Sequence, residues 1–230
     1  MKKAVLFWSG GKDSAMALHR LKQNPQVEIM GLVTTLNSDF KRISMHGIAE
    51  KVLDIQAEQL GFPVIKMWVS NQPDNYSYEA SFLKTCTQLV EMDVDTLVFG
   101  DIFLEDLRIY REDLATKAGF KTYFPLWKSS SVELQKELSD GGFEAITCCV
   151  QSDKLGEDWI GKQLNPEFFM KLPTGIDPFG ENGEFHTFCY NGPIFRKAVV
   201  YETGEIVFRP MQIKQTDRAE DAGFIYLDIT

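Results

Sequence analysis

Short apolar runs alternate with amphipathic stretches over the first 127 residues of the chain. Residues 4–8, 27–35, 63–69, 96–100 and 121–124 are apolar, with β-branched or aromatic side chains, and predict strands. Between them, 13–23, 47–60 and 76–91 read as helices. Ile48, Val52 and Ile55 recur at helical spacing in the second of these, and Leu107, Tyr110 and Leu114 mark one face of a fourth. Strands alternating with helices predict βαβ units, hence a mostly parallel sheet covered on both faces with right-handed crossovers.

The pattern changes after Pro125, Leu126 and Trp127. Residues 132–138 and 166–172 predict short helices, and 173–184 form a loop rich in Gly, Pro and Asp. Strands are predicted at 144–150, 185–190, 196–201, 205–208 and 224–229, with Glu202, Thr203 and Gly204 as a turn. The expected organisation is an α/β domain over 1–127 and a smaller α+β domain over 128–230.

With 44% hydrophobic and 25% charged residues in 230, the composition is globular and excludes disordered and fibrous classes. No run of about 18 apolar residues offers a membrane-spanning helix. The first apolar run stops at a glycine pair after Trp8, so it reads as a buried strand rather than a secretion signal. Cys86, Cys148, Cys149 and Cys189 lack metal spacing and point to free thiols in a reducing compartment, the cytoplasm. Cys148 and Cys149 share a strand, so one should face inward and the other outward. The net charge of −9 opposes nucleic-acid binding. A small anion such as ATP stays feasible, held by a few backbone amides and one Mg2+.

The sharpest chemical signal is Ser9-Gly10-Gly11-Lys12-Asp13-Ser14, between the first strand and the first helix. Two glycines let backbone amides close on a phosphate, and the helix N-terminus adds favourable charge. Ser9 and Ser14 offer hydroxyls and Lys12 a cation. Asp13 makes sense among phosphate binders if a metal bridges them, so it is a Mg2+ ligand candidate. Neither GxxxxGK[ST] nor GxGxxG occurs. A second constellation, Gly100-Asp101-Ile102, ends a short strand, the place where open α/β sheets meet ligands. Glu105, Arg108, Arg111 and Glu112 follow at helical spacing, which also suits a solvated face. The third lies in residues 177–187: Glu181, Glu184 and His186, with Gly180 and Gly183 permitting a sharp turn. It could bind a cation, ammonium or a substrate hydroxyl, or supply a general base. His46 follows the loop beyond the second strand, where adenine or ribose could sit.

Residues 9–14 match the SGGxDS signature in full and so resemble the PP-loop of the ATP pyrophosphatase superfamily. That resemblance implies a Rossmann-like sheet of five parallel strands, a loop holding the pyrophosphate part of ATP, and cleavage between the α- and β-phosphates. Gly100-Asp101-Ile102, then Pro125-Leu126-Trp127, then Gly180 to Thr187 followed by Gly192-Pro193-Ile194-Phe195, extend the likeness in order over almost the whole chain. Together they resemble the diphthine–ammonia ligase family, whose eukaryotic pattern at the third site is GEGGEYET. Gly180, Glu181, Gly183, Glu184 and Thr187 match it; Asn182, Phe185 and His186 depart from it, and leave the acceptor open. The resemblance implies an ATP-dependent ligase that adenylates a carboxylate and lets ammonia displace AMP. Ser9, Gly10, Gly11, Asp13 and Ser14 would hold ATP, Asp101 would face the α-phosphate or Mg2+, and Glu181 and Glu184 would lie near ammonia or the acceptor. The implied partners are ATP, ammonium and a carboxylate acceptor such as a modified protein side chain; a homodimer stays open. Two alternatives share the first motif: a nucleotide-binding protein without turnover, and a tRNA-modifying PP-loop enzyme.

Overall fold

The computed structural model describes residues 1–71, 74–210 and 222–230. The first sheet contains β1 (Lys2–Phe7), β2 (Val27–Asn37), β3 (Arg42–Ile43), β4 (Val64–Val69), β5 (Thr96–Val98) and β6 (Lys121–Tyr123). Five of these strands run parallel in the order β4-β2-β1-β5-β6. Strand alternation separates two faces already within β1: Ala4 and Leu6 join one apolar cluster and Val5 the other. Four helices cover the sheet: α1 (Lys12–Lys22), α2 (Glu50–Leu60), α3 (Asn75–Glu91) and α4 (Glu105–Lys117). Met16 and Leu18 of α1 and Val52 and Leu53 of α2 pack into the first cluster. Phe82 and Leu89 of α3 and Leu114 of α4 pack into the second.

The short β3 was not foreseen. β2 runs to Asn37, two residues beyond its predicted end, and Leu36 and Asn37 pair with β4 on one edge and antiparallel with β3 on the other. The edge that β1 occupies lower down thus continues as β3 and carries the chain over the strand ends.

The second sheet is antiparallel: β7 (Glu144–Gln151), β8 (Phe185–Asn191), β9 (Thr203–Pro210) and β10 (Gly223–Ile229), ordered β8-β7-β10-β9. α5 (Ser131–Asp140) precedes it and starts with a capping box between Ser130 and Glu133. A 3-10 turn (Glu157–Trp159) and α6 (Pro166–Lys171) follow β7. Ile146, Cys148, Phe185 and Phe188 of this sheet belong to the same apolar cluster as α1 and α2, so both sheets share one core. No described helix is long and apolar enough to cross a membrane.

Three expectations are corrected. Residues 196–201 form no strand: Arg196 N–H donates to Gln59 O at 2.8 Å and Val199 N–H to Tyr190 O at 2.7 Å, single bonds to different partners rather than a ladder. Residues 202–204 are no turn, because Glu202 and Thr230 exchange both backbone bonds and Thr203 already belongs to β9. Cys148 and Cys149 are both sealed. β7 lies inside its sheet; Cys148 meets the shared core while Cys149 pairs opposite Tyr226.

Candidate functional site

β1 delivers residues 9–14 to the carboxyl edge of the parallel sheet, and Gly10, at φ +81°, makes the turn into α1. The glycines matter here for close packing. A Cβ on Gly10 would stand 2.9 Å from Ile48 Cδ1, and one on Gly11 would stand 2.7 Å from His46 Cε1 and 2.9 Å from Thr187 O. The loop is pinned from the second sheet: Cys189 N–H donates to Gly10 O at 2.9 Å, and Lys12 N–H to Thr187 Oγ1 at 3.0 Å. Gln56 completes the clamp. Its buried amide donates to Gly10 O (3.1 Å) and Cys189 O (2.8 Å) and accepts from Trp8 Nε1 (3.1 Å). Ala15 N–H bonds Gly11 O, so the first-turn amides of Asp13 and Ser14 have no acceptor among the described residues.

A cavity of about 390 Å3 opens at this edge. Of the residues singled out from sequence, Ser9, Asp13, Ser14, His46, Gly100, Asp101, Glu181 and His186 line it. Gly10, Gly11, Lys12 and Glu184 do not. Lys12 is almost fully buried and directs its ammonium to Phe179 O (2.6 Å) and Asp13 Oδ2 (2.9 Å), between the rings of Phe179 and Phe185. Glu184 Oε1 accepts from Asp177 N–H (3.0 Å) and Asn182 Nδ2 (3.1 Å), which folds the 177–184 loop. Gly100 lies so close to α1 that a Cβ would meet the Asp13 backbone at 3.2 Å.

Three carboxylates share the cavity. Glu181 crosses from the second half of the chain, and its Oε1 accepts from Ile102 N–H at 2.7 Å. Burial, with Asp13 as the next cause, pushes its carboxyl up to about 7. Asp101 is also raised, by burial first, with Arg111 opposing and Asp13 reinforcing. Asp13 Oδ1 and Asp101 Oδ2 are buried without hydrogen-bond partners. His46, brought in after a left-handed Met45 (φ +65°), donates Nδ1–H to Thr187 O at 2.8 Å; burial lowers it to about 4. His186 lies 4.9 Å from it, ring to ring, and burial holds it neutral, with Nε2 unpartnered.

Sequence reasoning missed Gln56 and left Arg111 undecided; Arg111 lines the cavity, as does Tyr78. Gln56 sits four residues from both Val52 and Leu60, so it is a polar side chain on an apolar stripe, a signal that could have found it. Arg108 takes the solvated-face role, pairing with Glu112 at 2.8 Å and lying over Trp127. A second cavity of about 590 Å3 adjoins the first through Thr35, Ile43, Ser44, Met45 and Tyr78 and is bounded beyond by Val207 and Tyr226.

Among the described residues, no three His, Cys, Asp or Glu side chains are grouped to hold a metal alone. Asp13 Oδ1, which has no partner among the described residues, and the Asp101 carboxylate, whose Oδ2 meets Arg111 in an ion pair without a hydrogen bond, nevertheless fit Mg2+, which takes one or two carboxylates and completes its shell from phosphates and water.

A parallel sheet ordered this way, with a glycine turn into the first helix and acidic groups gathered at the strand ends, defines a Rossmann-like α/β protein of the PP-loop type. Residues 1–122 match the diphthamide synthase N-terminal domain and residues 130–219 the diphthamide synthase C-terminal domain; the chain belongs to this family. It is 24% identical to the diphthine–ammonia ligase of Danio rerio, over 77% of this chain and 74% of that protein. It is 23% identical to that of Rattus norvegicus, over 90% and 85%. The diphthine–ammonia ligase of Schizosaccharomyces pombe is 24% identical over 86% of this chain, which spans only 36% of that longer protein.

Proposed function

We propose that the chain is an ATP-dependent, AMP-forming ligase that converts a carboxylate to an amide with ammonia, residues 1–127 holding ATP and 128–230 closing over the site to contribute to acceptor binding. The supporting observation is the meeting of Asp13, Asp101 and Glu181 in one cavity beside the SGGKDS loop, in a chain whose two halves match the two diphthamide synthase domains. The amides of Asp13 and Ser14 and the hydroxyls of Ser9 and Ser14 bind the β- and γ-phosphates. Asp13 and Asp101 would hold Mg2+, which would supply charge neutralisation on the phosphates. The acceptor oxygen attacks the α-phosphorus, the α–β phosphoanhydride bond breaks and pyrophosphate leaves. Glu181, titrating near neutrality, takes a proton from ammonium. The freed ammonia attacks the acyl carbon, AMP departs with the electrons of the acyl–oxygen bond, and the nitrogen gives up one proton to solvent to leave the amide. The acceptor proposed is diphthine, after the relatives' names, and the compartment is the cytoplasm, where free thiols persist.

The test incubates the protein with ATP, Mg2+, ammonium and a diphthine-bearing protein and separates the nucleotides. AMP with pyrophosphate, dependent on the acceptor, is the expected result. ADP with phosphate overturns the reading.

A further inference from the structure

Three carboxylates line the cavity, which on the reading above must also admit an anionic nucleotide and an anionic acceptor. Its two imidazoles are neutral, and the ammonium of Lys12 is turned to Phe179 and Asp13. Arg111 is the one lysine or arginine among the described residues lining it.

Its setting is unlike that of its neighbour. Arg108, about one turn earlier on α4, donates its Nε–H to Glu112 and lies over the rings of Phe124 and Trp127. Arg111 lies over the ring of Phe99, with the guanidinium carbon 4.5 Å from the ring centre. Its Nε stands 3.0 Å from Asp101 Oδ2, an ion pair in which the N–H is not aligned for a hydrogen bond. No hydrogen bond joins Arg111 to any described residue, although a quarter of its side chain is exposed and Asp101 is almost sealed. The ring of Phe99 and the ion pair with Asp101 hold the guanidinium at this spot. With the Nε side turned to Asp101, the Nη groups are left to take a planar, two-oxygen anion through two parallel bonds.

We propose that Arg111 is the docking group for the carboxylate of the acceptor. The identity of the acceptor rests on the ligase reading; the anion site itself does not. A carboxylate suits it better than a phosphate does. The phosphates have their own donors in the amides of Asp13 and Ser14 at the start of α1. Beside Asp101, a group of single charge is repelled less than one of multiple charge. The Leu104 and Leu107 side chains flank the same cavity and offer apolar contact to the carbon chain that carries the carboxylate.

The experiment uses the full chain labelled with 15N-arginine and follows the Nε–Hε resonances by NMR. Arg111→Lys identifies the Arg111 signal by its loss, with Arg111→Gln as a second variant should the first not fold. Propionate and inorganic pyrophosphate are added separately, then propionate in the presence of saturating pyrophosphate. The Arg111 signal is expected to move saturably with propionate in both settings. An Arg111 signal indifferent to propionate overturns the proposal. So does one that responds to pyrophosphate alone, which assigns the residue to the nucleotide. A propionate response in a protein that forms no AMP keeps the docking site and removes the ligase reading; AMP formation with an indifferent Arg111 does the reverse.

Discussion

Glu181 holds a charge that its surroundings disfavour, since burial and the neighbouring Asp13 both retain its proton. Its folded pKa of about 7 lies above the ordinary 4.5, so the native state binds more protons than the unfolded chain between these values. Stability therefore falls as pH rises through this window and levels off above it. Glu181→Gln keeps an oxygen for the Ile102 amide and removes the charge. Its midpoint in urea should match wild type near pH 4 and exceed it above pH 7, by about 3 kcal/mol at most. An unchanging gap between pH 5 and pH 8 would refute the assignment. Gly11→Ala is expected to act sterically, because Thr187 O is backbone and cannot move aside alone. A loss of about 1–3 kcal/mol in thermal unfolding, with weaker ATP binding, is the outcome to look for. At this scale the sequence was readable where chemistry clusters along the chain: Ser9, Asp13, Ser14, Asp101 and Glu181 all reach the cavity. It was opaque for Arg111, since helical spacing tells which residues share a face but not which face turns toward the strand ends.

Among the elements, α2 does more than cover the sheet. Through Gln56 it joins Trp8, the Gly10 carbonyl and β8 at one point. Gln56→Leu leaves Trp8 Nε1–H and Cys189 O buried without these partners, and should cost about 3 kcal/mol in chemical denaturation. A shift below about 0.5 kcal/mol would mean that the clamp is dispensable. The parallel strands were legible from their apolar runs, because burial on both faces leaves a continuous signal. β3 was not, being two residues long and dependent on an edge of β2 that becomes free only past the end of β1. Residues 196–201 misled because extended backbone and apolar side chains need no ladder; Val200 is 80% exposed.

For the molecule as a whole, the two predicted parts meet in one core: Leu18 and Val52 from the first half share a cluster with Phe188 and Ile229 from the second. A fragment of residues 1–127 would leave that face of α1 and α2 uncovered. Expressed alone, it should bind a hydrophobic dye and lack near-UV circular dichroism. A fragment with a sharp cooperative melt would show that the halves fold apart. The break after Trp127 was visible in the changed pattern, whereas the shared core was not, because periodicity reports which side of an element is apolar and is silent about its partner.

Cys86, Cys148, Cys149 and Cys189 are all shut away from solvent, and burial raises each thiol. An alkylating reagent meets a reactive thiolate only when the chain opens. Iodoacetamide uptake, resolved by peptide mass, thus becomes a clock for breathing: Cys86 times the α3 layer, Cys148 and Cys149 the centre of the second sheet, and Cys189 the strand that grips the SGGKDS turn.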